Sequence, residues 1–363
     1  MDRVMRRRET LVAGGSLLAP LSGCLETLRR EDAWRELVVD PPERVYVPPK
    51  IDETMPYGTA TANGLEISIS ATRPHSFWTV TGRERSRADV RSNHAIHLMA
   101  AVRDAATGVV VPTTVATTIR NATGRVDERT LWPMLSQRMG FHYGDNASLE
   151  GAGSYEATVR VGPPGPATAG GVGDRLGRAT TVSIEFDHDP KAIDGLGRTL
   201  IDEDEGRGDP DALEPMDPVA ARAARFGLEG ARDDAIPGER LGVASSGDVS
   251  FPVRAVGGAR HARGRDGEQT LAVAPRTAYN RFPLPFAALS LSLLRDGDVI
   301  RAVRGRETIA PELGHHYAAV VAASDLERAE TLRIAVETPP QVARHEGYET
   351  AFLEVDPATV PVS

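Results

Sequence analysis

Cysteine is all but missing from this 363-residue chain, which holds one, Cys24. That count excludes intrachain disulfides, thiolate metal clusters and a cysteine nucleophile. Lysine is nearly as scarce: Lys50 and Lys191 are the only two, so arginine carries almost all the positive charge. An acidic surface poor in lysine is similar to proteins of salt-loving cells, although high genomic G+C alone gives the same deficit. The formal net charge of −9 argues against a nucleic-acid partner. Aromatic residues make up 5 %, whereas 35 glycines and 26 prolines punctuate short apolar runs, the composition of an all-β chain. No nucleophile motif, glycine-rich phosphate loop or acid–base carboxylate pair stands out, so the chain is not read as an enzyme. The length allows two domains, each with a good-sized core.

The apolar run from Leu11 to Leu21 is too short to span a bilayer as a mature helix. It follows Arg6-Arg7-Arg8 and precedes Leu21-Ser22-Gly23-Cys24, an arrangement that looks like a lipoprotein signal with Cys24 as the lipidated residue. Arg7-Arg8-Glu9-Thr10-Leu11 resembles a twin-arginine motif in part, and a plain Sec signal is the alternative. The expected location is extracytoplasmic, anchored to the cell membrane through lipid on Cys24. Residues 25–56, with Pro41-Pro42 and Pro48-Pro49, read as a tether.

Beyond the tether, apolar and polar residues alternate over short runs. Leu65 to Ser70, His94 to Val102, Tyr155 to Val161 and Val182 to Phe186 each read as strands of a sandwich at 57–187. Residues 188–246 are acidic and broken by glycine and proline, the pattern of a linker. Asp217, Pro218 and Gly230 frame one helix in it. A second sandwich is expected at 247–357. Asn280 to Leu289 parallels Asn93 to Val102, and Thr308 to Tyr317 parallels Thr130 to Met134 with Gly140 to Tyr143. Landmarks in this order predict a degenerate internal duplication. On this alignment Leu284 replaces His97, Phe286 replaces Met99, Glu312 replaces Met134, and His316 matches His142.

The chemistry concentrates in Trp132 to Asn146, which holds Met134, Met139 and His142 and ends in Gly144-Asp145-Asn146, read as a tight turn. A thioether beside an imidazole makes a soft-to-borderline metal pair. Strand alternation puts His97 and Met99 on one face, opposite His94, Ile96 and Leu98. Pro133-Met134, His142-Tyr143-Gly144, Asn146 and Gly153-Ser154-Tyr155 together resemble the P19/Tp34 family of periplasmic iron transport proteins. Asn63 to Ile67 is similar to that family's first strand. The resemblance implies immunoglobulin-like β-sandwich domains and a metal held through Met and His, here Met134 and His142. This chain departs from the family pattern in three places. The early His-x-Glu ligand pair has no clear match, the late His is missing from Thr168 to Gly173, and Met134 and His142 stand one residue further apart.

The expected metal ligands are Met134, His142 and His97, with His316 and His345 as candidates in the second sandwich. A Met/His set with few carboxylates suits copper, or Fe(II) with water completing the shell; His, His and carboxylate suit Fe(II) or Zn(II). His345 and Glu349 also read as a surface pair, and His75, His188 and His261 as isolated histidines. The expected function is capture of an Fe(II) or copper ion by a lipid-anchored protein that hands it to a membrane metal permease. The alternative is a tandem immunoglobulin-like surface or adhesion lipoprotein without metal. A homodimer stays open.

Overall fold

Period-two alternation becomes strand after strand in the structure, a computed structural model that describes residues 41–216, 236–257 and 267–362. The first half runs β1 (Lys50–Asp52), β2 (Met55–Ala62), β3 (Leu65–Thr72), β4 (Phe77–Thr81), β5 (Glu84–Ala88), β6 (Ile96–Asp104), β7 (Val115–Asn121), β8 (Gly124–Ser136), β9 (Gly140–Ala147), β10 (Gly153–Val161), β11 (Ala167–Thr168), β12 (Thr180–His188) and β13 (Arg198–Leu200). The second runs β14 (Glu239–Ser246), β15 (Val249–Gly257), β16 (Glu268–Val273), β17 (Arg276–Thr277), β18 (Ala288–Arg295), β19 (Asp298–Ala310), β20 (Gly314–Ala322), β21 (Thr331–Thr338), β22 (Ala343–Arg344) and β23 (Ala358–Pro361). The fold is all-β, two sandwich-like domains. Among the described residues no helix is long and apolar enough to cross a membrane. Cys24 and the helix expected from Asp217 to Gly230 lie outside the described residues.

The two sandwiches share one strand order. The first is ordered β2-β3-β6-β9-β8-β7-β10-β12 and the second β14-β15-β16-β20-β19-β18-β21-β23. In each, a strand of 13 residues turns the corner between the two sheets. The first part of β8 pairs with β7 and its last five residues pair with β9; β19 divides in the same way between β18 and β20. One residue parity faces inward. Leu65, Ile67 and Ile69 of β3 and Ile96, Leu98 and Ala100 of β6 join one core with Leu289, Leu291 and Leu293 of β18. Each such large side chain contributes about 1.5–3 kcal/mol on burial.

A tyrosine fixes the register in both halves. The Tyr143 hydroxyl accepts from the Thr113 amide at 2.7 Å and donates to Val111 O at 3.1 Å. Tyr317 repeats this with the Ala287 amide at 2.8 Å and Leu284 O at 3.3 Å. Leu284 therefore stands where Val111 stands, on the segment before β18, and not where His97 stands. The expected alignment of Asn280–Leu289 with Asn93–Val102 is corrected: β16, not that segment, is the counterpart of β6.

The halves also exchange short strands. β22 lies parallel to β8, with Ala343 beside Met134 and Arg344 beside Leu135. Reciprocally, β11 lies parallel to β19, with Ala167 beside Thr308 and Thr168 beside Ile309. Both supposed connectors are docked as well. From Pro42 onward the expected tether is built structure: β1 pairs with β13, Tyr46 N donates to Gly347 O at 3.1 Å, and Thr350 Oγ1 donates to Pro42 O at 2.6 Å. Leu213 N donates to Gln137 Oε1 at 2.8 Å, tying the acidic segment to the β8–β9 turn. Backbone groups without a helix or strand ladder of their own found partners on the sandwiches, which composition does not reveal.

Gly140 closes the β8–β9 turn at φ 69°, and a Cβ there would stand 2.6 Å from Phe282 Cδ1 of the second half. The left-handed backbone costs an L-residue about 1–2 kcal/mol and overpacking about 1–3 kcal/mol more. Gly140→Ala is therefore expected to lower unfolding stability by roughly 2–5 kcal/mol in urea titration. An unchanged midpoint would contradict this contact between the halves.

Candidate metal centre

Cross-strand pairing assembles the site. Met134 of β8 stands directly opposite His142 of β9, so the two side chains share one face. His97 of β6 pairs with Asn146 of β9, two register steps from Met99 opposite Gly144. Gly144-Asp145-Asn146 is thus strand and not the expected tight turn; the turn falls at residues 137–139. Tertiary pairing overrides the turn preference because the Asn146 side chain has a distant use. Its Oδ1 accepts from His97 Nδ1 at 3.0 Å and its Nδ2 donates to His75 O at 2.9 Å.

Gly144 opens the space. A Cβ at this glycine would meet Met134 Sδ at 2.7 Å and His97 Nε2 at 2.8 Å. A thioether sulfur and an imidazole nitrogen thus converge on one point where the chain leaves out a side chain. Two further imidazoles close around it. The His75 ring lies 4.1 Å from His97 and 4.9 Å from His345, and the His345 ring lies 5.7 Å from His142, centroid to centroid. Phe77, Ala343 and Met134 form the apolar wall. Among the described residues no three His, Cys, Asp or Glu side chains are already grouped at ion-holding spacing. What narrows onto a single point is the mixed pair of sulfur and nitrogen.

The hydrogen bonds set the tautomers. His97 Nδ1 faces Asn146 Oδ1, His142 Nδ1 faces Gly140 O at 3.0 Å, and His75 Nδ1 faces Arg73 O at 3.1 Å. Each acceptor requires a proton on Nδ1, which leaves Nε2 with its lone pair. The Nε2 atoms of His75, His97 and His142 and both ring nitrogens of His345 are buried without a hydrogen-bond partner. A buried polar atom left so costs about 1–3 kcal/mol, and orienting the far nitrogen is what outer hydrogen bonds do for metal ligands. Burial pushes the His142 pKa down to about 4, and burial followed by the charges of neighbouring histidines holds His97 and His345 well below the usual range.

The structure regroups the expected residues. Met134, His142 and His97 come together, and His345 joins them from the second half, carried in by β22. It is buried, so the reading of His345 with Glu349 as a surface pair is corrected; Glu349 instead accepts from the Tyr46 hydroxyl at 2.7 Å. His75 was read as isolated and belongs to the cluster; the loop before β4 gives no periodic signal. His188 does stand apart, with Nδ1 3.2 Å from the Tyr57 hydroxyl, and His261 lies outside the described residues. His316 holds on β20 the place of His142 on β9, its Nδ1 3.0 Å from Gly314 O. Its surroundings differ. Thr308 stands opposite His316, so Thr308 and not Glu312 takes the place of Met134. The ladder registers likewise put Thr270 in the place of His97, Ala272 in that of Met99 and Ala169 in that of His345. His315 points to the other face and pairs with Glu307 at 2.7 Å.

The depressed His142 pKa has a stability consequence. A histidine near 6.5 when unfolded and about 4 when folded binds more protons unfolded between those values. Stability is thus fully present above about pH 6.5 and falls as pH drops from there towards 4. The metal-free protein is expected to show a falling urea midpoint over that window. A midpoint flat from pH 7 to pH 4 would contradict the buried neutral imidazole.

Residues 55–188 match the model of a family described as Fe2+ transport protein, and residues 234–361 match a domain family of unknown function. No curated protein matches the chain. Among solved structures, FetP of uropathogenic Escherichia coli is 24 % identical over 38 % of this chain and 97 % of that chain, with a TM-score of 0.31. A copper-bound variant of FetP is 23 % identical over 38 % of this chain and 92 % of that chain, with a TM-score of 0.30. MtrC of Shewanella baltica is 10 % identical over 86 % of this chain and 68 % of that chain, with a TM-score of 0.18. The first sandwich is thus the part of the chain that is similar to the Fe2+ transport protein family.

Proposed function

We propose that the chain is an extracytoplasmic metal carrier that holds one copper or iron ion among Met134, His97, His142 and His345, with His75 beside them, and hands it to a membrane permease. The observation that carries this reading is the point above Gly144, faced by Met134 Sδ and His97 Nε2 and surrounded by buried imidazole nitrogens that lack partners. A purely structural cluster would leave those nitrogens at a cost with nothing in return. The family description supports transport. Lipid on Cys24 would hold the carrier at the membrane, where hand-over takes place.

In this reading the second sandwich descends from a duplication and has lost its own donors. Only His316 persists, with Thr270, Ala272, Thr308 and Ala169 around its position. Its contribution is structural and local: it delivers His345 to the first sandwich through β22.

Gly144→Ala tests the centre with the smallest change. The added methyl would occupy the point shared by sulfur and nitrogen, and Gly144 is not among the glycines with positive φ. Metal content by elemental analysis should fall to background while the circular dichroism stays that of the parent. Full retention of metal would sink the proposed location. His345→Ala should weaken binding about tenfold or more, in the range that loss of supporting metal-site groups produces, whereas His316→Ala should leave it unchanged. Equal losses in both variants would place the ion elsewhere. Protein without metal in any form would favour the adhesion-module alternative.

A further inference from the structure

We infer that the cargo is a soft monovalent cation, Cu(I), for which Ag(I) is a redox-inert surrogate, in preference to Fe(II); this rests on the metal-carrier reading above. Three observations lead there.

The first is charge. The side-chain atoms that face the centre are a thioether sulfur and imidazole nitrogens, none of them a carboxylate. The hydrogen-bond partners of His75, His97 and His142 are the Arg73 and Gly140 carbonyls and the Asn146 amide, none of them a carboxylate. Asp52 acts on His75, but Lys50 opposes it, and Asp52 is already engaged by Arg73 at 3.0 Å and Arg198 at 2.7 Å. The desolvation penalty of an ion grows with the square of its charge, so a divalent ion in this neutral, buried shell meets about four times the penalty of a monovalent one.

The second is softness. Met134 is fully buried with its sulfur aimed at the centre. Met99, 2 % exposed, lies on the face of β6 that carries His97. Thioethers select Cu(I), whereas Fe(II) sites are typically two histidines and a carboxylate with open positions. Oxygen donors of that kind are what this centre lacks.

The third is coordination number. The point above Gly144 lies 2.7 Å from sulfur and 2.8 Å from nitrogen, and the next atom is the Leu98 carbonyl oxygen at 3.3 Å. A filled-shell monovalent ion is satisfied by two or three donors. Fe(II) would need several waters, and an apolar wall of Phe77 and Ala343 offers them no hydrogen-bond partners.

The test is anaerobic competition on the purified full chain, loading with Fe(II) and titrating with Ag(I), with Cu(I) under reducing conditions as the second arm. Ag(I) and Cu(I) should displace Fe(II) at one equivalent and bind at least about 100-fold more tightly. Met134→Leu should lower Ag(I) affinity about tenfold or more and leave Fe(II) affinity within about twofold. Met99→Glu should move the ratio the other way by raising Fe(II) affinity. Fe(II) that binds as tightly as Ag(I) in the parent protein would overturn the inference and leave the carrier reading standing. Failure of Ag(I), Cu(I), Fe(II) and Zn(II) alike to bind would overturn both. Ag(I) uptake undiminished by Gly144→Ala would show binding elsewhere and also overturn the inference. Should Met134→Leu not fold, the parent competition and Met99→Glu decide.

Discussion

The parallel pairing of β22 with β8 is the contact on which the centre depends. It is two residues long, Ala343 beside Met134 and Arg344 beside Leu135, yet it sets His345 against His142 and His75. The pairing in turn rests on buried groups around it. The guanidinium of Arg344, fully buried, donates to Ala351 O and to Pro340 O, and lies over the Phe352 ring. Burial lowers its pKa to about 9, so it stays charged at neutral pH and must keep those carbonyl partners. The β4–β5 hairpin, which has no counterpart among the described residues of the second half, covers the other side of β22. Arg344 pairs with Trp78, and Gln341 exchanges two hydrogen bonds with the Gly82 backbone at 2.7 and 2.9 Å.

The two halves share a frame but differ in chemistry. Core-facing residues and the tyrosine pins of Tyr143 and Tyr317 hold the strand order, and any change there is felt as a cavity or a lost hydrogen bond. The differences lie on the opposite face of β9 and β20. On β9 it holds His142, Gly144 and Asn146; on β20 it holds His316, Ala318 and Val320. With Val320 where the first half has Asn146, no side-chain acceptor is there to orient a histidine at Thr270, so the second half lacks the donor and its support together.

Much of this was legible in the amino-acid sequence, and the reasons divide cleanly. Alternation in Leu65–Thr72, Ile96–Asp104 and Tyr155–Val161 is local, so strands and their inward faces could be read directly. His97 followed from the same parity, and Met134 with His142 from resemblance to a family motif. The errors are all non-local. Gly144-Asp145-Asn146 has turn chemistry, but partners on β6 and β8 outcompete it. His75 and His345 lie 270 positions apart in the numbering and meet only because a short strand crosses between halves. The repeat alignment slipped because Asn280–Leu289 imitates the apolar pattern of β6 while sitting one element later. Loops near Pro42 and Leu213 looked like solvated connectors because their hydrogen-bond partners are distant backbone groups.

The central claim is that one ion sits between sulfur and imidazole donors drawn from both halves. X-ray absorption at the metal edge, measured on the loaded parent protein and on loaded His345→Ala, tests this most directly. The account predicts a sulfur scatterer together with imidazole in the parent, and the loss of one imidazole with the sulfur kept in the variant. A shell of oxygen and nitrogen alone, or a spectrum that ignores the loss of His345, would contradict it.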